Sequence, residues 1–462
     1  MGLLSLINQA GLATGSTRPV PVGESWQRDP YAPNYELLVY DGQGASPFAL
    51  DEPIKAFIEE ITFESNADQF DHMEVKFANQ AENYGGGQIL SLLDDKLFSE
   101  GKFLEAQFGY GRSLMSVGAC QIAKKHPDFP EKGFPSFTIE GYDLLSKLSR
   151  TFPKTGKGYV GMTYGKIVEE VAMRAGFVMD AIDPRGLDAI GDSRYKGEDI
   201  QDKKGQVKTQ PKGQNDYVFL KKIAEINGFD LFSKFDPQTR KFVLFFQPPG
   251  TINQKEIFTF VYNSGETSFQ NTLLSFQPTL DAHDQSNEYE IFVMKDKEVG
   301  GTSVDYVSRV TVEDQHKLKE DQERRGSYGK QKPLNRGHEY AFKAFGRSFR
   351  FPPNKRFKDE NEARRCIEEF IKRQAENFIT GTGKLIGLEA LQARQIHNLT
   401  GLGEQFSGKY YFTQVKHVMS RTNGYSCEFA CRKVIEDMVV QAPPALKLTE
   451  LDKLFKKLKG ED

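Results

Sequence analysis

The chain has 462 residues, with 61 Lys and Arg against 64 Asp and Glu, and its net charge of -3 excludes a broadly cationic nucleic-acid binder. Four cysteines, Cys120, Cys366, Cys427 and Cys431, are too few for a disulfide framework in a chain of this length and fit assembly in a reducing cytoplasm. No apolar run is long enough to span a membrane as a helix, and 36 Phe with 18 Tyr lean the composition toward pleated structure.

Residues 1–34 are aperiodic and hold Gly and Pro, which predicts an N-terminal arm; docking on a neighbour and fraying are equal alternatives. Its opening, MGLLSLINQAG, lacks the basic start of a signal peptide, and Leu6 stands where myristoylation needs Ser or Thr. From Tyr35 alternating segments predict strands at YELLVY, AFIEEITFES and HMEVKFAN. A Gly-rich turn and a short helix at 88–98 follow, then strands at FLEAQFGYG, LMSVGACQIAKK and PSFTIEGYD.

Near Tyr142 the period changes. DLLSKLSRTF, TYGKIVEEVAMRAGF and DYVFLKKIAEINGF space apolar residues as helices do, with Thr163 and Gly176 as caps of the second. DLFSKF and KFVLFFQPP predict a hairpin, so 143–250 reads as a small α/β insert carrying a long polar loop at 196–215. Strands resume at IFTFVYN, LLSFQPTL, EYEIFVM and DYVSRVTV. A highly charged loop covers 312–335, a helix 359–378, and the hairpin GKYYFTQVKHVMSRTNGYSCEFACRK closes the region at 435. Residues 436–462 predict an amphipathic tail helix.

The two β regions, 35–142 and 251–435, follow a similar order: strand, strand, helix, strand and hairpin. EEITFESNADQFDHMEVKFAN matches LLSFQPTLDAHDQSNEYEIFVM, and the Gly109–Gly111 break matches Gly401–Gly403. That order predicts an internal duplication.

Catalytic signatures are thin. GKGYVG (Gly156, Gly158, Gly161) matches a dinucleotide fingerprint but follows a Pro-broken helix rather than a strand. The stretch around Gly383 and Lys384 lacks the first Gly and the final Ser or Thr of a phosphate loop. Cys427 and Cys431 lie about 13 Å apart along a strand, too far to share a zinc, and read as small buried hydrophobes. No zincin motif or nucleophile elbow occurs. Catalytic, cofactor and metal residues are accordingly all read as none.

FTIEGYDLLSKLSR…YGKIVEEVAMRAGF, QNDYVFLKKIAEINGFDLF…FVLFFQPP, NTLLSFQPTLDAHDQSNEYEIFV and the C-terminal block from NEARRCIEEFIKRQ to CEFACRK together resemble the phage late control protein D family. Its members are baseplate hubs of contractile phage tails and related injection systems, similar also to the hub part of type VI secretion spike proteins. The resemblance spans roughly 35–435. It implies a mainly β chain with an α+β insert: two tube-protein-like β-barrel modules plus a small α/β domain, in a hub-type architecture. It further implies a homotrimer whose six modules join a sixfold tail tube to a threefold central spike, the spike being a separate polypeptide.

Implied partners are the spike protein, the tail tube or tube initiator protein, baseplate wedge proteins and a small LysM-containing adaptor. Neither stable nucleic-acid binding nor a membrane span is implied. The particle would be a virion or an injection machine, assembled in the bacterial cytoplasm. The strands expected to wall or join the ring carry Phe63, Val75 and Phe77 in the first module and Tyr410, Tyr411, Phe412, Val415 and Lys416 in the second. A peptidoglycan-degrading enzyme and a carbohydrate-binding receptor protein are the alternatives.

Overall fold

The computed structural model describes residues 17–19, 32–78, 87–153, 157–159, 164–175, 177, 182–183, 208–227, 229–247, 257–262, 272–285, 288–299, 302–311, 344–346, 349–350 and 374–434. Residues 196–207 of the first polar loop, all of the second, the caps expected at Thr163 and Gly176, most of the helix expected at 359–378 and the tail at 436–462 lie outside them, whereas Lys208–Gln210, expected as loop, forms a short strand antiparallel to Lys157–Tyr159. The chain divides into two compact units, 1–279 with 379–434 and 280–378 with 435–462. Both β regions and the insert thus share one unit, and 280–378 is set apart from the second β region.

Six strands form the first β region: β1 (Pro33–Tyr40), β2 (Ile58–Asn66), β3 (His72–Ala78), β4 (Phe103–Tyr110), β5 (Ser113–Asp128) and β6 (Ser136–Tyr142). Helix α1 (Gly87–Leu93) and a short 3-10 turn (Lys96–Phe98) fall between β3 and β4. In the insert, a 3-10 turn (Leu144–Ser149) replaces the first helix predicted there. Helices α2 (Tyr164–Arg174) and α3 (Asp216–Asn227) and the hairpin β7 (Asp230–Asp236) with β8 (Lys241–Gln247) follow. The second β region has β9 (Ile257–Val261) and β10 (Leu273–Leu280). The hairpin β11 (Glu288–Val299) with β12 (Thr302–Thr311) belongs to the other unit. Strands β13 (Ile379–Ile386), β14 (Ile396–Thr400), β15 (Gly408–Ser420) and β16 (Gly424–Lys433) complete the region.

The sheet is mainly antiparallel and repeats its topology. In the first region the spatial order is β2–β3–β6–β5–β4–β1, and in the second it is β10–β13–β16–β15–β14–β9. The same six places in chain order occupy the same six places in the sheet. One strand departs from the pattern: β1 runs antiparallel to β4, whereas β9 runs parallel to β14. Thr17–Pro19 of the N-terminal arm adds parallel to β9.

This alignment corrects the one read from the sequence. The segment EYEIFVM, matched there to β3, pairs with β12 in a separate hairpin, and the place of β3 is taken by β13. The helix between β3 and β4 has a loop, 387–395, as its topological counterpart. Pairing partners in a sheet are chosen by long-range packing, which a strand's own alternation does not specify.

The strands are amphipathic in the ordinary way, β6 alternating half-buried and buried residues along its whole length. Inward aromatics stack across the ladder: Phe77 lies 4.6 Å from Phe137 and Phe412 4.5 Å from Phe429 between ring centroids. Each such ring removed from water contributes about 1.5–3 kcal/mol. Both halves of the sheet also curl upon themselves. Phe63 on β2 reaches across to Gly118 on β5, where an added Cβ would fall 2.0 Å from its ring, and Phe276 on β10 reaches Tyr410 on β15, 5.5 Å between centroids. We predict that Gly118→Ala displaces the Phe63 ring and costs about 1–3 kcal/mol, read from urea denaturation.

The insert packs on the first region through Tyr40, Phe103 and Ala119, which share a core with Leu144, Leu148, Ile167, Val171, Leu220 and Phe246. Arg174 in the last turn of α2 donates to Asp216 in the first turn of α3 at 3.1 Å. A cation at one helix end and a carboxylate at the next helix's start each complement the local backbone dipole.

Candidate functional site: the joint between the modules

The two β regions meet edge to edge. Strand β15 carries β16 along one edge and divides its other edge between two partners. Residues 408–411 pair with β14, and Gln414–Ser420 pair antiparallel with Asn66–Glu60 of β2. The changeover falls at a β-bulge between Phe412 and Gln414, and the Ala67 N–H donates to the Thr413 carbonyl at 2.7 Å. An extra residue bends the strand and re-aims its edge, which is what a change of partner requires.

Of the residues expected on ring-wall strands, Phe63, Val75, Phe77, Tyr410, Tyr411, Phe412 and Val415 are all buried within this chain. Phe63, Tyr410, Tyr411, Phe412 and Val415 lie on the two strands of the joint or their immediate core, and Val75 and Phe77 lie one strand away on β3. Their side chains hold the module interiors. Lys416 alone is half-buried and faces outward, in register with Glu64 on β2 and Glu428 on β16. Continuing the row, Glu428 faces Lys384, 3.5 Å away, on β13, and Glu64 faces His72 on β3. The outer face therefore carries a row of alternating charges across four strands, with His72 beside it on a fifth. Such exposed pairs are worth little individually, so Lys416→Ala is predicted to shift stability by less than about 0.5 kcal/mol in thermal or urea denaturation.

Beneath the joint the loop before β14 places Arg394, whose backbone takes the left-handed conformation at φ 70°. Its N–H donates to the Phe412 carbonyl at 2.7 Å, and its guanidinium donates to the Asn66 carbonyl. The same guanidinium lies 3.6 Å from the Asp71 carboxylate and 4.3 Å above the Phe232 ring of the insert. Asp71 accepts the Asn66 N–H at 2.9 Å, and Asp143 accepts the Ser233 hydroxyl at 2.6 Å. Burial raises Asp71 and raises Asp143 further, the Asp71 carboxylate adding to the rise at Asp143, while Arg394 pulls both down. Tyr411 donates to Asp230 of β7 at 3.1 Å. One arginine thus ties the first module, the insert and the second module together. Sequence reasoning missed it, because an isolated Arg in a loop carries no local signal.

A second buried polar group lies inside the second module. His417 donates from Nε2 to the Leu391 carbonyl at 2.8 Å, and its Nδ1 accepts the Tyr425 hydroxyl at 2.7 Å, with Cys427 Sγ at 3.3 Å. Burial holds the imidazole down at about 4 and pushes the Cys427 thiol up to about 12. Both are neutral near pH 7, so the pair is a hydrogen-bonded core element and lacks the thiolate a nucleophile needs.

On the outer face, His72, Glu74 and Glu140 bring three potential metal-ligand atoms within 4.8 Å of one another. Glu140 is already engaged by Lys124 at 2.9 Å and by His126 at 2.9 Å, and Lys124 holds its carboxyl below the usual range. The ammonium supplies the positive charge that a cation would bring.

No family model matches the sequence, and no curated protein matches it. Solved structures do. A 43 kDa prophage tail protein from Shewanella oneidensis aligns over 87% of this chain and 98% of its own, with TM-score 0.52 and 8% identity. A tail protein from Neisseria meningitidis aligns over 87% and 97%, with TM-score 0.51 and 11% identity. A component of the E. coli type VI secretion system aligns more loosely, over 82% and 74%, with TM-score 0.43 and 9% identity. The mainly β fold with its α/β insert is thus the fold of the two tail proteins, shared over nearly the whole of each.

Proposed function

We propose that the chain is a structural baseplate hub of a contractile tail or injection machine. As a trimer it forms a ring that matches a sixfold tail tube on one side and a threefold spike on the other. The observation that carries this reading is the repeated strand order within one sheet, joined edge to edge at β2 and β15. Two equivalent modules per chain let a threefold assembly present six equivalent surfaces, and closed symmetry limits its growth. The work of the protein is then binding and geometry, in a virion baseplate or injection particle, with tube, spike, wedge and adaptor proteins as partners. The shared fold with tail proteins supports the setting.

Sedimentation of the purified chain, alone and with its spike protein, tests the reading. A species near three times 52.3 kDa in either condition is expected. A monomer in both, with no spike bound, would overturn it, and clearing of cell-wall material by that monomer would favour a peptidoglycan-degrading enzyme instead.

A further inference from the structure

Among the described residues the joint between β2 and β15 occurs once, yet the repeat supplies its two halves twice. The topological equivalent of β15 is β5, and the equivalent of β2 is β10. β5 carries a bulge against β6 between Ile122 and Lys124, as β15 does against β16 between Phe412 and Gln414. Before the bulge β5 pairs with β4, and the Ile122 N–H reaches the Lys102 carbonyl at 2.8 Å. After it, among the described residues, β5 pairs with β6 alone, where β15 has β2 on its other edge. Among the described residues strand β10 likewise pairs with β13 alone, where β2 has β15 as well as β3.

We infer that the second half of β5 in one copy of this chain receives β10 of the next copy, antiparallel, repeating the internal joint between copies. The inference rests on the ring reading above and names the surfaces that close it.

Two further features of the strands fit this docking. Matching the bulges sets Ala123 level with Thr413, and matching the inward aromatics that cross each sheet sets Phe276 level with Phe63. In the internal joint Met419 faces Ile61, both buried. The corresponding pair between copies is Phe129 and Leu274, which are 63% and 45% exposed in the single chain. The joint would place two of the chain's exposed large apolar side chains against each other.

The second observation concerns proline. The Ala67 N–H bonds the Thr413 carbonyl and the Arg421 N–H bonds the Glu59 carbonyl, so odd-numbered backbone groups of both strands face the joint. The equivalents of His417 and Ser65 on the free edges are Pro127 and Pro278. Just past β10 the Asp281 N–H bonds the Phe378 carbonyl, which again turns the Pro278 nitrogen toward the open edge. Each edge that is free in the single chain therefore lacks one donor, which discourages random strand addition before assembly. The joint between copies then has fewer ladder bonds than the internal one and leans on the Phe129–Leu274 contact.

The test places cysteines at His126 and Gln277, the equivalents of the outward-facing Lys416 and Glu64 pair. Opposed residues at such non-hydrogen-bonded positions lie about 4.5 Å apart at Cα, within disulfide reach. Full-length His126→Cys and Gln277→Cys are purified separately, mixed, and exposed to a mild oxidant. A disulfide-linked dimer is expected from the mixture and not from wild type, and pairing His126→Cys with Ser275→Cys, two residues out of register, should link poorly. Phe129→Glu, at an exposed position that leaves the fold intact, should weaken self-association at least tenfold by sedimentation. A trimer by mass that shows no cross-link and ignores Phe129→Glu would overturn this joint while the ring survives. A monomer both alone and with the spike protein, with no spike bound and no cross-link, would overturn both.

Discussion

Replacing Arg394 with alanine should destabilise the chain by about 3–5 kcal/mol, the range expected when one partner of a buried ion pair is removed. The measurement is the shift of the urea midpoint at constant slope. The loss has three parts. The Asn66 carbonyl loses its donor, Asp71 loses the charge that offsets its burial, and Phe232 loses the plane stacked over its ring. Arg394→Met should recover some packing but leave Asp71 without its counter-charge. Adding Asp71→Asn to Arg394→Met should then restore part of the remainder, because removing both charges costs less than removing one. An unchanged midpoint in Arg394→Ala would show that the joint does not depend on this contact.

Acid should destabilise the protein through two buried imidazoles. The His397 Nδ1 accepts the Phe258 N–H at 3.2 Å, and burial holds this ring down at about 3, as it holds His417 at about 4. Both folded values lie below the ordinary value near 6.5, so the unfolded chain takes up protons first. Their contribution is complete above about pH 6.5 and is lost as pH falls through that value toward about 4 for His417 and about 3 for His397. For His417 the full loss is roughly 3 kcal/mol. Asp71 and Asp143 run the other way. Their folded values are raised, so the folded chain binds those protons first, and they partly offset the loss at the acid end. His417→Gln keeps a donor and an acceptor without a titrating ring. It should flatten the dependence of the urea midpoint between pH 7 and pH 4, and an unaltered slope would place the acid sensitivity elsewhere.

The sequence by itself determined the element types. Period-two alternation marked β2, β3, β6, β15 and β16, because one face of each is buried and the other solvated. Helical spacing marked α2 and α3, and the failure at 144–149 is a short segment that tightened into a 3-10 turn against the sheet. The two closing hairpins were legible as a repeat because their turns and alternation are local.

Tertiary structure alone decided which strand is neighbour to which. Every strand offers the same backbone donors and acceptors, so β11 could not be distinguished from β13 as the counterpart of β3 by its pattern. Burial of Phe63 or Val415 likewise says that a face is inward, and not which copy or module supplies the covering. The Arg394 contact to Asn66 spans 328 residues of sequence and owes its strength to the dry, aromatic surroundings that folding creates. A charge acquires that meaning only when water is removed around it, and no local pattern records where that happens.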